Sequence, residues 1–214
     1  MADSKEDVAS QALARLGEPA ISSFNEDTDT AEKVNRLYEP AILGLLSRYD
    51  WSFAKTKTSL LVDAAATPVN EWTRGFLMPV LGSDRVGKPI AVFNSATVGT
   101  TPLLFGRFEL AQKWVFTNET TIIVEYIKRV PEGEWPGYFL QLAVEALASN
   151  LALPITENAS KEQLHRGIAF GSPTERGRGG LFGQATDADA TGDATRGLLD
   201  DHDPMASARF GGNY

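Results

Sequence analysis

The chain has 214 residues, no cysteine, two histidines and a formal net charge of −8. These totals exclude disulfides and thiolate metal sites, leave too few imidazoles for a histidine cage, and argue against a protein that wraps DNA by neutralising phosphates. At 43% hydrophobic residues the composition is that of a globular protein with an ordinary core.

The N-terminus, MADSKEDVAS, has no apolar signal core, and no apolar run is expected to reach the roughly 20 residues of a membrane helix, which points to a cytoplasm or something assembled there. The spacing of Val8, Ala12, Leu13 and Leu16 predicts a first helix over about 4–16, stopped by Gly17 and kept from resuming by Pro19. A second and longer helix is expected from Asp29, where Val34, Leu37, Tyr38, Ala41, Ile42, Leu45, Leu46 and Tyr49 form one apolar stripe. Thr28 or Asp29 caps it, and Pro40 should bend rather than break it. Trp51-Ser52-Phe53-Ala54 changes the period from helical toward alternating, which makes Trp51 and Phe53 core aromatics at a helix-to-sheet junction.

Residues 55–129 read as a β region of short runs rich in Val, Ile, Thr, Phe and Trp, punctuated by Gly, Pro, Asn and Asp. Its clearest hairpin is Lys113–Phe116 against Thr121–Val124. Helix returns after Trp135-Pro136-Gly137, with Phe139, Leu142, Ala143, Ala146, Leu147 and Leu151 on its stripe and Pro154 ending it near Leu153. A fourth helix starts at Asn158 or Ser160 with Leu164 and Ile168 facing inward. Gly171-Ser172-Pro173 interrupts it, and Arg176-Gly177-Arg178-Gly179-Gly180 is a poor helix former. Between Asp187 and Asp203 six aspartates face one arginine, so the C-terminal region reads as an acidic, solvated tail.

The expected architecture is therefore α+β: a helical bundle built from both ends of the chain, an inserted antiparallel β domain and an extended C-terminal tail. Residues 1–54 and 132–173 supply the bundle, 55–131 the β insertion and 174–214 the tail.

No nucleophile stands in a recognisable elbow or triad, so no catalytic residue is assigned. His165, next to Arg166, is expected on a solvated or interface turn. Asp200, Asp201 and Asp203 lack the glycine turn and bidentate glutamate of a calcium loop, so no metal and no cofactor is expected. Gly82-Ser83-Asp84-Arg85-Val86-Gly87 is not a phosphate-binding loop, because no GK[ST] follows. Arg176 and Arg178 read best as part of a flexible loop, with contact to an acidic protein surface or a phosphate backbone as the minority reading.

Ala12-Leu13-Ala14-Arg15-Leu16-Gly17-Glu18-Pro19, then Ala31, Tyr38-Glu39-Pro40, Leu45-Leu46 and Trp51-Ser52-Phe53-Ala54, resemble the N-terminal pattern of the tail tubular protein A family. These are head-to-tail adaptors of short-tailed bacteriophages. Val124 to Val130, Trp135, Phe139 and the Ala-rich helix to Leu153 are similar to that family's return from sheet to bundle, so the resemblance spans about residues 4–155. Met78-Pro79-Val80-Leu81 departs from the family's Leu-Pro-x-Asp step, and the glycines from Gly171 to Gly180 replace its long final helix.

The resemblance implies a structural virion protein. It forms a ring, typically of twelve copies, between the portal protein and the tail nozzle, with tail fibres as possible neighbours, and DNA passes through its channel without sequence-specific binding. No membrane partner is implied. Assembly by interface burial makes the tail a portal-binding segment, with Leu181, Phe182, Leu198, Leu199, Phe210 and Tyr214 as apolar anchors and Arg176, Arg178, Arg196 and Arg209 as polar contacts. Two other classes stay open. One is a monomeric β module that binds a glycan or host-surface ligand through exposed Trp72, Phe76 or Trp114; the other is a hydrolase using Glu132 or Glu134.

Overall fold

A computed structural model describes residues 4–68, 71–97, 99–104 and 106–192. Helix α1 spans Lys5–Leu16: the Ser4 hydroxyl accepts from the Asp7 N–H, and Gly17, at φ 80°, turns left-handed to close the other end. Helix α2 spans Asp29–Leu46 with Thr28 as its cap. The helix runs on through Pro40, which has no N–H to give the Arg36 carbonyl; burial of Val34, Tyr38, Ile42, Leu45 and Leu46 offsets that loss.

Helix α3, Gly137–Thr156, is the axis of the bundle, and the other four helices gather round it. Its length and mean hydropathy of 1.3 suffice for a membrane span, contrary to the expectation that no run would, but most of it is buried inside the protein. It also passes Pro154 and ends at Thr156. There the Thr156 hydroxyl returns to the Ala152 carbonyl at 2.7 Å, and Glu157 adopts φ 52° with its N–H on Leu153 O. A proline in the last turn removes only one bond, so it does not end the helix where the sequence rule puts the stop.

Helix α4, Ala159–Phe170, starts on an Asn158 cap but faces the opposite way from the one expected. Leu164 and Ile168 are 60% and 41% exposed, whereas His165 and Ala169 are buried. The cause lies on α3. Glu145, in the middle of its buried surface, needs partners for a buried carboxylate, and His165 supplies one only if α4 is rotated away from its leucine.

The largest correction concerns the C-terminal boundary. Residues 174–192 are not extended tail: after a 3-10 turn at Pro173–Glu175, helix α5 forms over Gly180–Gly192 and packs on α3 and α4. Phe182, Ala185 and Asp189, spaced by three and four, are its buried face. The glycines make the turn, Gly171 and Gly177 at φ 75° and 74°. Gly180 sits at φ 59°, and a Cβ there would strike the Ile168 carbonyl and the Gly171 nitrogen.

From the bundle the chain leaves through a 3-10 turn at Ser52–Ala54 into the β insertion. Strands β1 (Lys55–Leu60), β6 (Ile122–Lys128) and β3 (Arg85–Phe93) form one antiparallel sheet in the order β1-β6-β3. Strands β2 (Arg74–Leu77), β5 (Trp114–Thr117) and β4 (Phe108–Ala111) form a second, in the order β2-β5-β4. The expected β5–β6 hairpin does not form, because those strands belong to different sheets. The tight hairpin is β4–β5, turning through Gln112 at φ 54° and Lys113. Val115 of one sheet and Val124 of the other meet in one small core with Leu60, Phe76, Val92, Ile122 and Tyr126, so residues 118–121 cross between layers.

Candidate docking surfaces and the junction behind them

Trp51 is fully buried where the bundle hands over to the sheets. Its indole N–H donates to the Leu45 carbonyl at 3.2 Å, and its ring meets Tyr49 and Phe139 edge-on at 5.0 Å and Phe182 at 5.9 Å. Phe53 packs at 4.9 Å from Phe139. Edge-to-face pairs of this kind add about 0.5–1.5 kcal/mol each beyond the area they bury.

Asp189 closes the junction from the far end of the chain. Its carboxylate accepts from the Ser52 N–H and Ser52 hydroxyl, each at 2.8 Å, and from the Tyr138 hydroxyl at 2.7 Å. The sequence reading placed Asp189 in a solvated acidic run, yet it is 2% exposed. Burial, together with the Asp189 carboxylate, pushes the Tyr138 phenol well above its ordinary range.

Phe182, expected to anchor a partner, is spent on this chain's own core between Trp51 and Phe170, and Leu181 packs half-buried beside it. Phe182 is therefore not a free anchor. Arg176 and Arg178 are exposed on the turn before α5. Arg196, Leu198, Leu199, Arg209, Phe210 and Tyr214 lie outside the described residues, as do Asp200, Asp201 and Asp203.

A cleft of about 910 Å³ opens between α3, α4 and the 171–177 turn. Arg48, Arg166 and Arg176 line it, with Phe170, Asn150 and Gln163 between them. The Arg48 guanidinium lies 4.3 Å over the Phe170 ring. In a chain of net charge −8, this is a concentration of positive charge.

Large apolar side chains stand exposed on the β insertion, Ile90, Leu104 and Leu110 among them, and on the helices. On the β insertion Leu61, Val62, Leu77, Val80 and Leu81 are exposed too, and the Leu77 N–H bonds the Leu61 carbonyl at 3.2 Å. Leu153, Leu164 and Ile168 stand on the outer side of α3 and α4. Neither place was singled out as a surface from sequence, because an apolar residue at helical or strand spacing reads as core.

Of the two glutamates in the hydrolase reading, Glu134 is exposed and Glu132 is held internally. Glu132 accepts from Tyr38 at 2.9 Å and from Arg129, which also grips both carboxylate oxygens of Glu39 at 2.8 and 3.2 Å. This network joins the end of β6 to α2. Desolvation and the neighbouring Glu132 carboxylate hold the Tyr38 phenol neutral far above its usual range. His165 is not solvated: its Nδ1 lies 2.7 Å from Glu145, whose other oxygen meets Arg15 Nε at 3.2 Å. Among the described residues no group of three or more His, Asp or Glu side chains is placed to hold a metal ion.

Of the aromatics in the glycan reading, Trp72 and Trp114 are half-exposed. Phe76 is buried, and the indole N–H groups of Trp72 and Trp114 donate to Glu109 at 2.7 Å and Asp63 at 2.8 Å. No protein-family model matches the chain, and no curated protein matches it.

Proposed function

We propose that this chain is a structural virion protein, a head-to-tail adaptor whose copies form a ring between the portal and the tail nozzle. The resemblance of residues 4–155 to tail tubular protein A supports the reading, as does an architecture of a bundle closed from both ends round an inserted β module. The observation that carries it is that large apolar side chains stand exposed on both parts of the chain, Leu61, Leu77 and Leu81 among those on the β insertion and Leu153, Leu164 and Ile168 on α3 and α4. Exposed apolar residues on two different parts of one chain suit a head-to-tail contact, in which each copy offers one face to each neighbour and rotation closes a ring. The net negative charge suits a channel through which DNA slides without being gripped. In this reading the chain works by burying interfaces rather than by turning over a substrate.

Chains carrying Leu81→Glu or Leu164→Glu test it. Each variant alone should fail to assemble on a portal ring. Mixed, the two should form capped dimers through the one pair of intact faces, with no ring. Full rings from either variant alone would overturn the assignment of these faces.

A further inference from the structure

We infer that the arginine cleft is a docking site for this chain's own acidic segment, residues 193–203, which occupies it in the free protein. Arg48, Arg166 and Arg176 converge on one cleft, and none of the described residues lining it is acidic. None of the three makes an ion pair among the described residues. Guanidinium groups in this arrangement fit carboxylates presented along a polypeptide, each able to take two N–H bonds from one arginine. A nucleic acid offers phosphates instead, but a chain of net charge −8 repels it at long range, which favours an acidic peptide.

The chain carries such a peptide within reach. Residues 193–203 hold Asp193, Asp200, Asp201 and Asp203 against the single Arg196. Leu198 and Leu199 precede the acid pair and match the half-buried Phe170 ring in the cleft. Helix α5 begins at the cleft's rim, where Gly180 abuts Gly171, and its thirteen residues carry the chain about 20 Å away. The eight residues 193–200 span up to about 26 Å when extended, enough to return Asp200 and Asp201 to the arginines. Docking there keeps the acidic segment off other partners until a stronger competitor displaces it. This inference needs no portal and stands apart from the adaptor reading.

The chain has no cysteine, so a pair of introduced cysteines labels cleanly. Thr174→Cys at the rim and Ala206→Cys beyond the acid run take nitroxides in the full chain, and pulsed electron–electron resonance reads the distance between them. At low ionic strength a short-distance population is expected. It should be lost at about 1 M salt, where the screening length falls to about 3 Å, and lost equally in R48A/R166A/R176A. Because Arg48 also stacks on Phe170, the variant D200N/D201N/D203N carries the same test without touching the bundle. Dilution with excess unlabelled chain should leave the short distance intact. A long, broad distribution indifferent to salt and to both variants would overturn the proposal. Disappearance on dilution would overturn it too, because the occupant would then be a second copy.

Discussion

Asp189 accepts two hydrogen bonds from Ser52, one from its backbone N–H and one from its hydroxyl, each at 2.8 Å, across 137 positions of sequence. Together with Tyr138 it ties the last described helix to the turn at which the chain enters the β insertion. The bundle is therefore locked at that turn only after the whole insertion has been made.

Asp189→Ala strands the Ser52 and Tyr138 donors in a partly buried setting and should cost about 1–3 kcal/mol. Asp187→Ala, on the exposed side of the same helix, should stay within about 0.5 kcal/mol. Urea unfolding of the two variants checks the difference.

Phe182→Ala should destabilise the protein by about 3–5 kcal/mol, because the ring sits among Trp51, Phe170 and their neighbours and its removal leaves a cavity. An unchanged denaturation midpoint would return Phe182 to the role of an external anchor.

On α4 the ranking should run against hydrophobicity. His165→Ala leaves Glu145 with Arg15 as its remaining partner and should cost about 2–4 kcal/mol, whereas Leu164→Glu should change monomer stability by less than about 0.5 kcal/mol. Thermal melts of both variants at the same pH decide it.

Stability should also fall on the alkaline side. Burial and the Asp189 contact raise the Tyr138 phenol in the folded state above its unfolded value of 10. The folded chain therefore holds a proton that the unfolded chain releases. The contribution is complete below pH 10 and is lost as pH rises toward the folded value. Comparing denaturation of the parent chain and Tyr138→Phe across that range isolates the effect; a parallel pH dependence in both would contradict it.

The helices were legible because their signals are local. Ser4, Gly17, Thr28 and Asn158 cap where their side chains and backbone allow, and period 3.6 marks α1, α2 and α3. Strand pairing was not, since alternation in Trp114–Thr117 and Ile122–Lys128 says that each has an inner face but not that the two inner faces oppose each other across a core. The direction of α4 depends on Glu145, one carboxylate in another helix, and no window of sequence contains both partners. Asp189 is the sharpest case. Six aspartates against one arginine describe a solvated run, and what separates Asp189 from the others is only its spacing from Phe182 and Ala185. A helical reading of 181–189 finds that face; a compositional reading hides it. Of the docking surfaces, the arginines at 176 and 178 were visible in sequence, but Arg48 and Arg166 join Arg176 only through the fold.

The adaptor reading is tested most directly by mass. Light scattering on the full chain, alone and after mixing with the portal ring of a short-tailed phage whose adaptor this chain is proposed to be, should give a stoichiometric, ring-sized complex only in the mixture. Two unchanged masses in the mixture, at both low and moderate salt, would contradict it.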